Sequence, residues 1–203
     1  MRIFLTVCMS CLIYIDSFAT AINNTGAAPP EKAFFAGGCF WCLEADMDKI
    51  PGVISTVSGY TGGNVNHPTY DQVSGGGTGH YESVEVTYNP AQVSYKALLM
   101  AFMHKIDPAD AGGQFCDRGN QYRSAIFYLN DQQKEQALST IKQLLASGHF
   151  KQVATKILPA KPFYPAEEYH QNYYQKNPIR YRFYRSRCGR DQQVDKVWGV
   201  RDT

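Results

Sequence analysis

With 203 residues, 44% of them apolar and 13% aromatic, the chain has the size of one ordinary domain or two very small ones, and enough apolar mass to build a core without staples. A formal net charge of +2 excludes the strongly basic surface expected of a nucleic-acid or membrane-surface protein.

The first 21 residues read as a secretory leader. Arg2 supplies a positive start, and residues 3–15 form an apolar stretch too short to span a bilayer. Ala19-Thr20-Ala21 fits the small-x-small pattern that precedes a cut after Ala21. Lipidation at Cys11 would follow Cys8-Met9-Ser10, a poor run-up for that signal. The mature chain is therefore expected to be secreted or periplasmic, and it retains four of the six cysteines: Cys39, Cys42, Cys116 and Cys188.

Residues 22–32 form a polar, proline-containing linker, and residues 33–203 a single domain. A short apolar strand, 33–36, is broken by Gly37-Gly38. Cys39 then opens a helix with Leu43, Met47 and Ile50 at helical spacing, stopped by Pro51-Gly52. A β-branched strand over 53–60 leads into residues 61–80, rich in Gly, Asn and Ser and without periodicity. Residues 81–88 alternate as a strand. Ser94 caps a helix to about Ile106, followed by a second irregular loop, 107–123, and a strand, 124–129. Asn130 or Asp131 caps a helix with Ala137, Ile141, Leu144 and Leu145 turned inward, ended by Gly148. A further strand over 151–158 and a short helix over 166–176 precede an irregular tail. In it Arg180, Arg182, Arg185, Arg187 and Arg190 read as a solvated run. Strands and helices interleave, which implies an α/β or α+β class with helices packed on one sheet.

Cys39 carries the sharpest chemical signal. It follows a strand and two glycines and sits at a helix start, where unpaired N–H groups and the helix dipole would stabilise a thiolate. Cys42 lies three residues on, on the same helix face, a spacing that permits a reducible disulfide. A zinc site would need a second ligand pair, and no other Cys-x-x-Cys or His-x₃₋₅-His occurs, so no metal is expected. Glu82 shares its strand face with Val84, Val86 and Tyr88. A carboxyl there either pairs with a base or takes a raised pKa and stays protonated. Tyr70, Tyr122 and Asp117 sit in the two irregular loops. His80 and His170 read as structural histidines.

Gly38-Cys39-Phe40-Trp41 resembles the signature of the A-class peptide-methionine sulfoxide reductases. Further segments are similar to that family in the same order: Gly59-Tyr60-Thr61-Gly62-Gly63, Pro68-Thr69-Tyr70, Thr78-Gly79-His80-Tyr81-Glu82, and Asp117 through Ser124. The resemblance implies a two-layer α+β sandwich related to the ferredoxin-like arrangement. It also implies reduction of methionine (S)-sulfoxide, free or in oxidised proteins, without metal or organic cofactor, and recycling by thioredoxin or an exported thioredoxin-like reductant. By position, Cys39 matches the nucleophile, and Phe40 and Trp41 the wall around the substrate's S-methyl group. Glu82 matches the acid that protonates the sulfoxide oxygen, Tyr70 and Tyr122 the hydroxyls that polarise it, and Asp117 a supporting polar residue. Many members have Gly at the position of Cys42 and place recycling cysteines in a Gly-rich tail. The three-residue spacing at a helix start, within disulfide reach, leads us to expect Cys42 to resolve the oxidised Cys39 first and Cys188 to act later as a relay. The alternative is that Cys188 pairs permanently with Cys116. The protein is expected to be a monomer with no nucleic-acid partner. The rival readings are a thioredoxin-like thiol–disulfide oxidoreductase built on Cys39 and Cys42, and a disulfide-stapled binding module without activity.

Overall fold

The computed structural model describes residues 28–199. The leader, its cut after Ala21 and most of the linker lie outside the described residues. Strand β1 (Glu31–Ala36) begins inside the stretch read as linker, and its last four residues are buried: Ala33 and Phe35 on one face, Phe34 and Ala36 on the other. The chain then turns through Gly37-Gly38 into α1 (Phe40–Met47) and returns as β2 (Val53–Thr61). The loop that follows holds a short helix, α2 (Tyr70–Ser74), which Thr69 and Gln72 close with a reciprocal capping box.

Strand β3 (Tyr81–Tyr88) matches its expected bounds. α3 (Tyr95–Met103) is capped by Ser94 as expected, and ends three residues short of Ile106. The second loop is more ordered than its sequence suggests. It contains a minimal hairpin, β4 (Gly113–Gln114) with β5 (Asp117–Arg118), and a 3₁₀ turn at Asn120–Tyr122. Strand β6 (Ala125–Tyr128) leads to α4 (Asp131–Ala146), whose first turn is capped by the Asn130 side chain at 2.9 Å from the Gln133 N–H. Its buried face is Gln133, Ala137, Thr140 and Leu144, while Leu145, expected inside, is exposed. After it come β7 (Lys156–Pro159), β8 (Tyr164–Pro165) and α5 (Tyr173–Lys176), the last being shorter than the helix expected over 166–176.

The tail is not irregular. It forms α6 (Pro178–Cys188) and α7 (Arg190–Trp198), joined at Gly189 in the left-handed region. Pro178 opens α6. At the first helical position its missing N–H costs nothing, and its fixed φ suits a helix.

The six-stranded sheet runs β7-β6-β1-β3-β2-β8. Neighbours are antiparallel except β6 and β7. Its four inner strands, with α1 and α3 as crossovers, form the β-α-β-β-α-β ferredoxin-like arrangement. One face carries the main core. Phe35, Val84, Val86 and Ile126 meet Leu43 and Met47 of α1, Leu98, Leu99 and Phe102 of α3, and Ala137 and Leu144 of α4. Phe35 stacks on Phe102 with centroids 4.5 Å apart. The opposite face holds a smaller cluster of Phe34, Ala36, Tyr81, Ala125 and Phe127 under Leu158, Ala160 and Phe163. The helical layer thus lies on one side, and Glu82 faces it. No described helix is long and apolar enough to cross a membrane.

Candidate active site

The turn between β1 and α1 places Cys39 at the end of the sheet. Gly38 has φ +83, and a Cβ there would lie 2.7 Å from Cβ of Gln114, so neither conformation nor space admits a side chain. Cys39 is the N-cap of α1. Its carbonyl accepts from the N–H groups of Cys42 and Leu43 at 3.1 and 3.2 Å. The first N–H of the helix, on Phe40, donates instead to Oε2 of Glu82 at 3.0 Å.

The first N–H at the helix start is therefore taken by the carboxyl group of Glu82. Burial pushes the Cys39 thiol well above its usual range, assisted by its contact with Cys42 and by the negative charges of Glu82 and Asp117. Cys42 moves the other way. The hydrogen bond from Cys39 lowers it most, burial opposes, and Arg190 and Arg185 lower it further. Both thiols are free and buried, with 6% of Cys39 and 1% of Cys42 exposed.

Glu82 behaves as its strand position implies. It is 2% exposed, and burial raises its pKa to about 8 against the opposing hydrogen bond from Phe40. At neutral pH it is mostly protonated and able to donate. Tyr70, at the start of α2, is pushed up to about 12 by burial and then by the charges of Glu82 and Cys39. Tyr122, at the end of the 3₁₀ turn, is raised by burial and then by Glu82, Tyr70, Cys39 and Asp117. Both hydroxyls thus remain donors near Glu82 and Cys39. Asp117, on β5, accepts the Tyr184 hydroxyl at 2.8 and 2.7 Å on its two oxygens, and burial raises its pKa. Glu82, Tyr70, Tyr122, Asp117 and Tyr184, from five separate elements, thus gather around Cys39.

The aromatic neighbours divide. Phe40 is 1% exposed and packs among Tyr60, Tyr70 and His170, so it belongs mainly to the core. Trp41 is half-buried. Its indole N–H donates to Nδ1 of His170 at 2.9 Å, and its ring stacks on Tyr173 at 3.8 Å with edge contact to Tyr184. Glu167 lies beside this group. It accepts the Tyr70 N–H at 2.8 Å and the Tyr60 hydroxyl at 2.9 Å, and its Oε2 is 4.0 Å from Nε2 of His170. His170, read as a structural histidine, holds the site's own aromatic wall through Nδ1 and its ring contacts to Phe40, Trp41 and Tyr70.

The family model described as peptide methionine sulfoxide reductase matches residues 31–202. The chain belongs to this family. It is 51% identical over 172 residues to the peptide methionine sulfoxide reductase MsrA of Bacillus subtilis, covering 84% of this chain and 97% of that protein. It is 47% identical over 193 residues to MsrA/MsrB of Vibrio cholerae, covering 95% of this chain and 51% of that protein, so it spans about half the length of that relative. Among solved structures, methionine sulfoxide reductase A of Corynebacterium diphtheriae superposes with a TM-score of 0.67 at 35% identity, covering 76% of this chain and 78% of that one. Mxr1 of Saccharomyces cerevisiae in reduced form gives 0.68 at 34% identity, covering 74% and 87%.

Within this peptide methionine sulfoxide reductase fold, Cys188 does not sit where a mobile relay would. It ends helix α6 and is bonded to Cys116, with Cα atoms 5.0 Å apart. The run of arginines is only partly solvated. Arg180, Arg182 and Arg187 are exposed, whereas Arg185 and Arg190 turn inward onto the buried carboxylate of Asp46, at 2.9 and 3.7 Å. Arg190, 1% exposed, also donates to the carbonyls of Gly37, at 3.2 Å from each terminal nitrogen, and Lys105 at 2.9 Å. A buried guanidinium needs such partners to offset its lost hydration. Tyr184, Arg185, Arg190 and Asp46 escaped the sequence reading. The available signals were the helical spacing of Tyr181, Tyr184, Arg185 and Cys188, and an Asp one turn after Cys42 on an otherwise apolar helix face.

Proposed function

We propose that the chain reduces methionine (S)-sulfoxide through Cys39. The observation that carries this is the convergence of a protonated Glu82 and two hydroxyl donors, Tyr70 and Tyr122, on a buried free thiol with a second free thiol one turn away. The Cys39 sulfur attacks the sulfoxide sulfur. Charge accumulating on oxygen is met by Glu82, Tyr70 and Tyr122. The oxygen, protonated by Glu82, passes from the methionine sulfur to Sγ of Cys39 as the bond between the two sulfurs breaks, and the products are methionine and a Cys39 sulfenic acid. Cys42 then attacks Sγ of Cys39, expelling water and leaving a Cys39–Cys42 disulfide. An external dithiol, of thioredoxin type by the family resemblance, restores both thiols by exchange. The apolar, leader-like first 21 residues support an exported location, and a monomer satisfies every step. A turnover assay with resolved sulfoxide epimers and dithiothreitol tests the reading. The S epimer should be consumed and the R epimer spared, and consumption of neither would reject it.

Cys42 is favoured as the resolving thiol by its position and its charge. It sits one helical turn from Cys39, it is free, and the inward-turned Arg185 and Arg190 favour its ionised form. Cys42→Ser should keep one turnover and lose most reductant-driven cycling. Mass spectrometry after one turnover of the native protein should find Cys39 bonded to Cys42. A Cys39–Cys188 bond appearing first would reverse the assignment.

Trp41 supplies the apolar surface for the S-methyl group, with Phe40 behind it. Trp41→Ala should lower kcat/KM roughly tenfold, the discrimination a pocket draws from one small apolar group, while the protein still folds. Normal kinetics in the folded fraction would confine Trp41 to packing.

A further inference from the structure

The bond between Cys116 and Cys188 takes no part in the cycle proposed above, yet it lies directly beside the residues that do. Cys116 immediately precedes Asp117 of β5, and Cys188 follows Tyr184 by four residues, about one turn of α6. The same two elements are thus joined twice, once by the disulfide and once by the hydroxyl of Tyr184 held between the two oxygens of Asp117. Both noncovalent partners reach the reacting thiol. Tyr184 packs its edge on Trp41, the neighbour but one of Cys39, and is pushed up, after burial, by the Cys39 charge, while the Asp117 carboxylate in turn helps to raise the Cys39 thiol. The hairpin is not stiff alone, because β4 and β5 have two residues each, too few to stand without cross-links.

The two cysteine pairs also differ in access. Cys116 is exposed, and with Cys188 it lines an open groove of about 530 Å³ bounded by Asp107, Phe115, Gln192 and Lys196. Cys39 and Cys42 are buried.

We propose that the Cys116–Cys188 disulfide is a positioning clamp that holds Asp117 and Tyr184 against Cys39, so that its reduction by an external dithiol lowers the reactivity of the site. The inference rests on the reading of Cys39 as the nucleophile. In the reduction the dithiol gives two electrons and two protons. The Cys116–Cys188 bond breaks to two thiols, and the reductant becomes a disulfide. Cys39 and Cys42 are unchanged by it.

The test is a single turnover without reductant, using protein as isolated, in which methionine formed is measured against time at several sulfoxide concentrations. Cys116→Ser/Cys188→Ser should lower the single-turnover kcat/KM about tenfold, well within the ~100-fold that a 1 Å misplacement can cost. Tyr184→Phe, which leaves the disulfide intact, should lower it comparably. Combining the three substitutions should cost little more than either alone, because both losses act through one contact. Multiplying losses in the combined protein would overturn the clamp, since two unrelated structural defects behave that way. An unchanged single-turnover rate in the double serine variant would also overturn it. If that variant lost only thioredoxin-driven turnover, the bond would be an electron carrier and not a clamp. Failure of the underlying reading is distinct, since the unsubstituted protein would then form no methionine at all in the same experiment.

Discussion

Cys39→Ser should abolish methionine formation, with kcat/KM falling by roughly four to six orders of magnitude, the scale of removing an enzyme's nucleophile. The loss should appear in a single turnover as well as in cycling. Neither a sulfenic acid nor a Cys39–Cys42 disulfide can form without that sulfur. The substitution is close to isosteric and lies at a turn whose shape is set by Gly38 and by the Arg190 contacts to Gly37, so the fold should survive. Trapping the native protein after one turnover with a sulfenic-acid reagent, and finding no adduct in Cys39→Ser, checks the assignment. Substantial single-turnover activity in the variant would remove Cys39 from the role.

Glu82→Gln should lower kcat/KM by roughly one to three orders of magnitude, the range for general acid catalysis combined with stabilisation of charge on oxygen. The pH dependence is the sharper readout. The reactive form needs Cys39 ionised and Glu82 protonated. Glu82 has a pKa of about 8, and the Cys39 thiol stands well above its usual range. Below about 8 both groups are protonated, and the reactive form gains population as pH rises. Between the two pKa values the dominant form has the proton on Cys39 and not on Glu82, so the reactive fraction is flat. Above the Cys39 pKa it falls. The kcat/KM profile of the native protein should therefore rise to about pH 8 and then level off. In Glu82→Gln the inflection near 8 should vanish, and the rate should go on rising until Cys39 itself ionises. An inflection near pH 8 that survives the substitution would assign it to another group.

Much of the fold was legible in local patterns. β3 alternates cleanly because one of its faces meets the helical layer, and the same alternation placed Glu82 on the buried face, where its raised pKa follows from desolvation. Ser94 and Asn130 announced their helices because a side-chain cap is a purely local interaction. The two irregular loops were legible as functional and illegible in form. A two-residue hairpin and a single 3₁₀ turn bury too little to leave a periodic trace.

The C-terminal segment shows the opposite case. Its helical spacing hints at an inward face, but the partners that let Arg185 and Arg190 turn inward, Asp46 above all, lie up to about 150 residues away in the chain.

The sequence by itself determined which residue types are available and which periods they follow. The Cys39-x-x-Cys42 pair, the strand position of Glu82, the order of the longer strands and helices from β1 to α4, and the family motifs were all readable without coordinates. The tertiary structure alone decided how those groups are charged and how they are held. Phe40 donates its N–H to Glu82, and burial raises the Cys39 thiol. Cys188 pairs with Cys116, and Tyr184 reaches Asp117. Ionisation and disulfide pairing depend on desolvation and on distances between segments far apart in the chain, and local spacing carries neither.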